Sequence, residues 1–283
     1  MNRVEEKLLK CEAEHRGGLI VEIPMLSPTP QTQLETAELL VKAGVDVIQI
    51  PIPVRFPWMY GERILKIQKM AREADTHYKQ SFAVLEELVR RYPNTEFMPV
   101  GFYGGLQRMG QQNYVNKVAE LGIQIVDVPD YPLVHDQDPR GLMQALREKG
   151  IAYATVISTD VAMAEEGTKA YEHFEAVVKA SEGFCFLLAA AGGKTGEKKE
   201  MDYRSLEHAE NRILKVQEKV GRRCPIVAVC GISTPEQVSI LTQELGMHVM
   251  FGSALFTRMM NGESNEEIYQ FLVEMKNAAV GKR

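Results

Sequence analysis

The stretch "LLVKAGVDVIQIPIP" (residues 39–53) holds the end of an amphipathic helix, a glycine and then an apolar run. Gly44 stands where a helix commonly ends, just past its last apolar turn. Val47, Ile48 and Ile50 make the following run apolar on both faces, as a strand in a parallel sheet covered by helices requires. The stretch therefore predicts a helix–strand junction of an α/β protein.

The same unit recurs along the chain. Each apolar run is followed by a loop rich in Gly or Pro and by an amphipathic helical stretch. The eight runs that we predict as strands are "LIVEIPM" (19–25), "DVIQIPIP" (46–53), "EFMPVGFY" (96–103), "IQIVDVPD" (123–130), "AYATVIST" (152–159), "FCFLLAA" (184–190), "PIVAVCG" (225–231) and "HVMFGSA" (248–254). Eight such units in roughly 250 residues, after one leading helix, predict a (β/α)8 barrel. An open doubly wound sheet is the alternative, although it normally uses fewer strands. No linker-like stretch interrupts the chain, so we expect one barrel domain over residues 1–283.

The composition is that of an ordinary globular protein, with 45% hydrophobic and 25% charged residues. The formal net charge of -5 argues against nucleic acid or an anionic membrane as the main partner, but not against a small anion. There is no signal-peptide pattern at the start, and no apolar run approaches the roughly 18 residues of a membrane span. The four cysteines show neither a CxxC pair nor metal-ligand spacing, so we expect no metal. Cys185 and Cys230 stand in apolar, strand-like runs and are expected to be core thiols, which favours a reducing cytoplasm.

Glycines at the ends of the last two predicted strands indicate a phosphate site. In a barrel the active site lies at the carboxyl ends of the strands, and the loops after strands seven and eight usually bind phosphate. Gly231 is followed by Ser233, and Gly252 by Ser253. A glycine lets the backbone approach a ligand, and free N–H groups at the start of the next helix attract an anion. One such pair would more simply be a helix cap, but two pairs on neighbouring strands predict a phosphate cradle.

The loop after the sixth predicted strand, "AAAGGKTGEKKE" (189–200), is small and charged and suits a lid. Gly196 would add a third backbone donor to the cradle. Lys194 either pairs with the anion or is solvated.

With these loops included, the chain resembles the alpha subunit of tryptophan synthase over nearly its full length. The segments that carry the resemblance are "LLVKAGVDVIQIPIP", "ELGIQIVDVPDYP", "FLLAAAGGKTG", "GISTPEQV" and "GSALF". The resemblance implies a (β/α)8 barrel and a retro-aldol cleavage that releases indole and glyceraldehyde 3-phosphate. It also implies that the substrate phosphate is held by Gly196, Gly231, Gly252 and Ser253.

Further residues match family positions by the same resemblance. Tyr103 falls at an active-site tyrosine, Thr195 at the lid threonine, and Asp130 at an acid after strand four. The family's partner is a beta subunit that holds pyridoxal phosphate, and the loop "VPDYPLVHDQDPR" (128–140) lies where such a contact would form. The resemblance implies neither a metal nor an organic cofactor for this chain.

The chain departs from the family at the reaction centre. The family's general acid/base glutamate on strand two matches Gln49, and the aspartate that holds the indole N–H matches Tyr60. A third family acid, in the same loop, matches Phe56. An amide does not exchange a proton near neutral pH, so Gln49 cannot do general acid/base work. We therefore expect an altered substrate or mechanism.

A new acid stands in the first strand. The family usually carries an aromatic residue at the position of Glu22. If the strand alternation holds, Glu22 points into the barrel mouth beside Gln49, and burial would raise its pKa toward that of a general base. The alternative is a structural Glu that is paired with a nearby polar group.

Other candidates in the loops have simpler explanations. Glu62 more simply complements the dipole of a helix start than takes part in catalysis. Arg55 and Trp58 would either bind the substrate or cover the barrel mouth. His135 is expected to be a solvated loop residue.

Three functions follow from these features. The favoured one is a carbon–carbon lyase of the tryptophan synthase alpha type that acts on a phosphorylated small molecule. The second is a non-catalytic subunit that binds a phosphorylated ligand or a partner. The third is a sugar-phosphate isomerase, which the same cradle could serve.

Overall fold

The computed structural model describes residues 1–23, 29–53, 62–74, 78–131, 138, 140–189 and 201–282. Eight parallel strands close into a barrel in chain order, and the last strand pairs with the first. The strands are β1 (Leu19–Glu22), β2 (Val47–Pro51), β3 (Glu96–Val100), β4 (Ile125–Asp127), β5 (Ala152–Ser158), β6 (Cys185–Leu188), β7 (Ile226–Val229) and β8 (His248–Phe251). The prediction of a (β/α)8 barrel is confirmed. That residues 1–283 form a single domain stays a prediction.

Helices alternate with these strands. They are α1 (Arg3–Ala13), α2 (Pro30–Lys42), α3 (Glu62–Ala74), α4 (Lys79–Arg91), α5 (Tyr103–Met109), α6 (Gln111–Glu120), α7 (Leu142–Glu148), α8 (Thr159–Ala162), α9 (Lys169–Ala180), α10 (Tyr203–Lys219), α11 (Pro235–Ser239), α12 (Ser253–Met260) and α13 (Asn265–Ala279). A π-helical turn (Ile240–Glu244) continues α11. No helix in these described parts of the chain is both long and apolar enough to cross a membrane.

The helix starts show why these segments are helical. Thr29 caps α2 by accepting a hydrogen bond from the N–H of Thr32, and Pro30 occupies the first turn. Ser264 and Glu267 form a capping box at the start of α13. Each device satisfies N–H groups that a helix start would otherwise leave without partners.

Strand alternation divides the core into two layers. Leu19 and Val21 pack outward among the helices, whereas Ile20 packs inside the barrel. Val4 and Leu8 of α1 belong to the same inner cluster as Ile20. α1 covers the amino-terminal end of the barrel, so the open mouth lies at the carboxyl ends of the strands.

Candidate active site

Three polar side chains meet inside the mouth of the barrel. Glu22, Gln49 and Asp127 each stand two residues beyond an inward-facing apolar residue of β1, β2 and β4, so they share its face. All three line a cavity of about 50 Å³. Most of the remaining wall is apolar and includes Val100, Phe102, Val156, Phe186, Leu188 and Met250.

Glu22 lies at the end of β1, opposite Gln49 of β2 in the sheet register. It is 4% exposed, and its Oε1 is buried with no hydrogen-bond partner among the described residues. Burial, and then the charge of Asp127, raise the pKa of Glu22 from 4.5 to about 8. Glu22 therefore lies where the alternation predicts, whereas its catalytic role stays a prediction.

Asp127 is the functional candidate that the sequence reasoning missed. It is 5% exposed, and its Oδ2 accepts a hydrogen bond of 3.1 Å from Nε2 of Gln49. Its Oδ1 is buried and has no partner. Burial raises its pKa from 3.8 to about 8, against the lowering effect of the Gln49 hydrogen bond. The available signal was its position two residues after Ile125, on the inward face of β4.

Gly252 brings the predicted phosphate cradle against Glu22. A Cβ on Gly252 would lie 2.9 Å from the Cβ of Glu22 and 3.6 Å from its carboxyl carbon. A glycine is therefore needed here because β1 and the start of α12 approach so closely. Gly252 is the N-cap of α12 and has no side chain to cap it, so backbone donors of the first turn, beginning at Ser253, remain for a ligand.

The loop after β7 has an unusual backbone. Cys230 and Gly231 have φ angles of 73° and 82°, both in the left-handed region. The prediction that Cys230 is a core thiol is wrong, because the end of β7 places it partly exposed in the cavity wall. Ser233 donates its backbone N–H, at 2.8 Å, to Oε1 of Gln237, which belongs to the capping box of α11. The structure thus shows Ser233 in a helix cap, and its role at a phosphate stays a prediction.

Tyr103 and Asp130 form a helix cap beside the cavity. The N–H of Tyr103 donates a hydrogen bond of 2.6 Å to Oδ1 of Asp130, which caps the first turn of α5. The Tyr103 hydroxyl donates to Gln111 at 3.4 Å, and its ring packs edge-on against Tyr131. Neither Tyr103 nor Asp130 lines the cavity, although their neighbours Phe102 and Pro129 do.

Several predicted residues lie outside the described part of the chain: Arg55, Phe56, Trp58, Tyr60, His135, Lys194, Thr195 and Gly196. Most of the predicted partner loop (128–140) is outside it as well. Glu62 is described and is the first residue of α3, in the helix-start position that the sequence favours. In the described residues no group of three or more His, Cys, Asp or Glu side chains could hold a metal ion.

The model of the family described as "Tryptophan synthase alpha chain" matches residues 8–280. The chain belongs to this family. Curated tryptophan synthase alpha chains from Zymomonas mobilis and Prochlorococcus marinus are 24% and 25% identical to it, over 94% and 99% of this chain and 90% and 94% of theirs. A chain from Mycobacterium tuberculosis tryptophan synthase has a TM-score of 0.82 at 19% identity, covering 99% of this chain and 98% of its own. The alpha subunit from Legionella pneumophila reaches 0.80 at 18% identity, with the same coverage.

Within the tryptophan synthase alpha chain family, an altered reaction centre in this member stays a prediction. The resemblance assigns the general acid/base to the position of Gln49, which here is an amide that donates to Asp127. The carboxyl groups of the described pocket are instead Glu22 and Asp127. Membership of the family supports a lyase-type enzyme, and the pocket raises the question of which acid does the chemistry.

Proposed function

We propose that the protein is a carbon–carbon lyase that cleaves a small phosphorylated molecule, with Glu22 as the general acid/base. One observation carries the proposal. The Glu22 carboxyl lines the cavity beside Gly252 and keeps one oxygen without a partner. A carboxyl group that is buried at a ligand site, with a pKa near neutrality, is suited to proton transfer.

The retro-aldol step requires one group that first accepts and then returns a proton. Ionised Glu22 takes the proton of a substrate hydroxyl, and the oxygen forms a carbonyl as the C–C bond breaks. The electron pair of that bond goes to the leaving carbon, which receives the proton from Glu22. The carboxylate is thereby restored, and no other reactant is consumed.

The phosphate of the substrate would bind at the mouth between β7 and β8. Gly252 and Ser253 begin α12, and Gly231 bends the neighbouring loop. The backbone donors of a helix start bind an anion without needing a basic side chain. Phosphate binding here would anchor the substrate next to Glu22.

The substrate differs from indole-3-glycerol phosphate in this proposal. An indole ring has a single N–H donor, so in the cavity it would leave at least one of the carboxyl groups of Glu22 and Asp127 facing an apolar surface. Burying polar groups without partners is unfavourable by roughly 1–3 kcal/mol each. A polar end of the substrate would satisfy them.

A beta-type subunit is the proposed partner. Structural relatives of the chain are tryptophan synthases. Mixing the protein with a tryptophan synthase beta subunit and measuring the mass of the eluted species would test it. Separate elution at micromolar concentrations would contradict the pairing.

The lyase proposal is tested with indole-3-glycerol phosphate and a panel of phosphorylated glycerol derivatives. Release of glyceraldehyde 3-phosphate is followed with its dehydrogenase. We expect slow cleavage of the indole compound, faster cleavage of a derivative with a polar end, and a loss of about 100-fold or more in Glu22→Gln. Glu210→Gln is the matched control, because Glu210 is a half-buried acid of α10 whose pKa burial raises to about 7 and which does not line the cavity.

Two results would overturn the lyase proposal. Cleavage that survives in Glu22→Gln would exclude Glu22 as the general acid/base. No cleavage of any compound, together with a melting temperature that inorganic phosphate raises, would favour the non-catalytic phosphate-binding subunit.

A further inference from the structure

The two oxygens of the Asp127 carboxyl group differ in their hydrogen-bond partners. Oδ2 accepts the hydrogen bond of Gln49, whose –NH₂ can only donate. Oδ1 is buried and has no partner. Because buried polar atoms almost always have partners, an orphaned acceptor on a residue that lines a cavity indicates a donor that the described residues do not supply. Oε1 of Glu22, another lining residue, is a second orphaned acceptor.

Among the described residues that line the cavity, none balances the charge of Glu22 and Asp127. No Lys, Arg or His is among the described residues that line the cavity. The wall beside Glu22 and Asp127 is mainly aliphatic and aromatic. Ionising two carboxyl groups in such surroundings is unfavourable unless a cation joins them.

We infer that Asp127, positioned by Gln49, binds a primary ammonium group of the substrate, so that the substrate class is a small phosphorylated amine. The inference rests on the proposed function for the phosphate end of the molecule. In it Asp127 is a binding and specificity residue, whereas Glu22 transfers the proton.

An ammonium group fits better than the other donors. It carries three N–H donors and one positive charge, so it can serve both Oδ1 of Asp127 and Oε1 of Glu22. A hydroxyl or a ring N–H donates one hydrogen bond and leaves the charge unbalanced. A cavity of about 50 Å³ has room for a few water-sized groups.

Ammonium binding also prepares the base. A cation next to Glu22 favours its ionised form, which is the form that accepts the substrate proton. Binding of the amine end would thus increase the fraction of ionised Glu22 and promote cleavage of the substrate.

The pH dependence follows from the groups around Asp127. Tyr114 of α6, Tyr153 of β5 and Asp130 interact with it electrostatically, and none of them is a cation. Glu22 of β1 does so as well. With a pKa near 8, Asp127 is mostly protonated at pH 6 to 7, so ammonium binding releases a proton there. Amine affinity should rise with pH up to about 8, by as much as tenfold per pH unit for each proton released.

The test compares 3-aminopropyl phosphate with 3-hydroxypropyl phosphate by calorimetry at pH 6.5, 7.5 and 8.5. We expect the amine to bind at least about tenfold more tightly at pH 8.5, with an advantage that shrinks toward pH 6.5. Asp127→Asn should remove the advantage, so that the variant binds the two compounds with similar affinity at all three pH values. Glu210→Gln should keep the advantage. Equal affinities in the wild type, or a preference that survives in Asp127→Asn, would overturn the inference.

A second readout needs no phosphate. Of the four cysteines, Cys11, Cys185 and Cys224 are buried, whereas Cys230 is partly exposed and lines the cavity. Propylammonium at millimolar concentration should slow alkylation of Cys230 in the wild type but not in Asp127→Asn, and propanol should do neither. If neither phosphate compound binds but propylammonium protects Cys230, the phosphate part of the proposed function fails and the ammonium site stands. No protection and no amine preference would overturn the site.

Discussion

Two buried carboxyl groups set the chemistry of this protein at the scale of single residues. Glu22 and Asp127 are each about 95% removed from solvent, at 4% and 5% exposure, in a mainly apolar wall. Their burial opposes ionisation, and Gln49 offers only one hydrogen bond in compensation. Such an arrangement lowers stability, and it is typical of sites whose ligand supplies the missing partner.

The pH dependence of stability is the first prediction. The pKa values of Glu22 and Asp127 are about 8 in the folded protein, against ordinary values of 4.5 and 3.8. The folded protein therefore holds more protons between about pH 4 and 8, so its free energy of unfolding falls as the pH rises through that range, by up to about 1.4 kcal/mol per pH unit for each group. Glu22→Gln should make this decline shallower.

Urea denaturation at pH 5, 6.5 and 8.5 measures the decline. Glu38→Gln is the control, because Glu38 is an exposed acid whose pKa is lowered by its hydrogen bond to Lys42. A decline as steep in Glu22→Gln as in the wild type would show that Glu22 does not keep its proton on folding.

The second prediction concerns the close approach at Gly252. In Gly252→Ala the new Cβ would meet the Cβ of Glu22 at 2.9 Å, so β1 or α12 must shift. We expect a loss of about 1–3 kcal/mol in the free energy of unfolding, as for other overpacked sites, and weaker phosphate binding. In Gly104→Ala, within α5, nothing lies within 4 Å of the new Cβ, so stability should stay the same or rise slightly. Equal melting temperatures for both variants would contradict this account.

At the scale of elements, the third prediction separates a cap from a catalytic acid. Asp130 accepts from the N–H of Tyr103 at the start of α5. Asp130→Ala should lower the free energy of unfolding by about 1 kcal/mol, whereas Asp130→Asn keeps an acceptor oxygen and should lose less. Urea denaturation and the cleavage assay are measured together. If Asp130→Asn were stable but inactive, Asp130 would be an acid in the reaction and not mainly a cap.

The elements were predictable to the extent that their patterns are local. The apolar runs located all eight strands, because strands of a buried parallel sheet read as apolar segments. Their ends were less predictable: β4 has three residues, Ile125–Asp127, within the predicted run 123–130. Pro129 and Asp130 already belong to the loop after β4. Asp130 caps the start of α5 through Tyr103, which lies 27 residues earlier, so the local sequence does not reveal this role. Helix α6 follows α5 directly, and the apolar pattern of the sequence does not mark the break between them.

The site was predictable to the extent that single positions departed from a known pattern. Glu22 and Gln49 were found because a polar residue stood in an apolar strand. Asp127 stood in "IVDVPD", where an acid near a strand end resembles an ordinary loop residue. Its importance comes from its hydrogen bond with Gln49, which lies 78 residues earlier in the chain. Only closure of the barrel brings β2 and β4 to one cavity.

At the scale of the whole molecule, a buried acid far from the mouth lies near the point where the barrel closes. Asp46 is 6% exposed and precedes β2. Its Oδ2 accepts from the N–H of Leu19, at 2.8 Å, and from the ammonium of Lys276 in α13, while Arg16 approaches its Oδ1 at 3.5 Å. One carboxylate thus joins the starts of β1 and β2 to the last helix, near the point where the first and last strands meet.

Removing this carboxylate is the fourth prediction. Asp46→Ala would leave the N–H of Leu19 without its acceptor and the largely buried Lys276 without its counter-ion. We expect the free energy of unfolding to fall by about 3–5 kcal/mol, because breaking a buried ion pair from one side leaves an uncompensated charge. Glu38→Ala breaks the exposed pair with Lys42 and should change it by less than about 1 kcal/mol. Urea denaturation at pH 7 compares the two. Similar small losses would mean that the junction of β1, β2 and α13 is held by apolar packing alone. A changed urea dependence only in Asp46→Ala would mean that the variant no longer unfolds in one cooperative step or that its native or denatured state has changed in compactness.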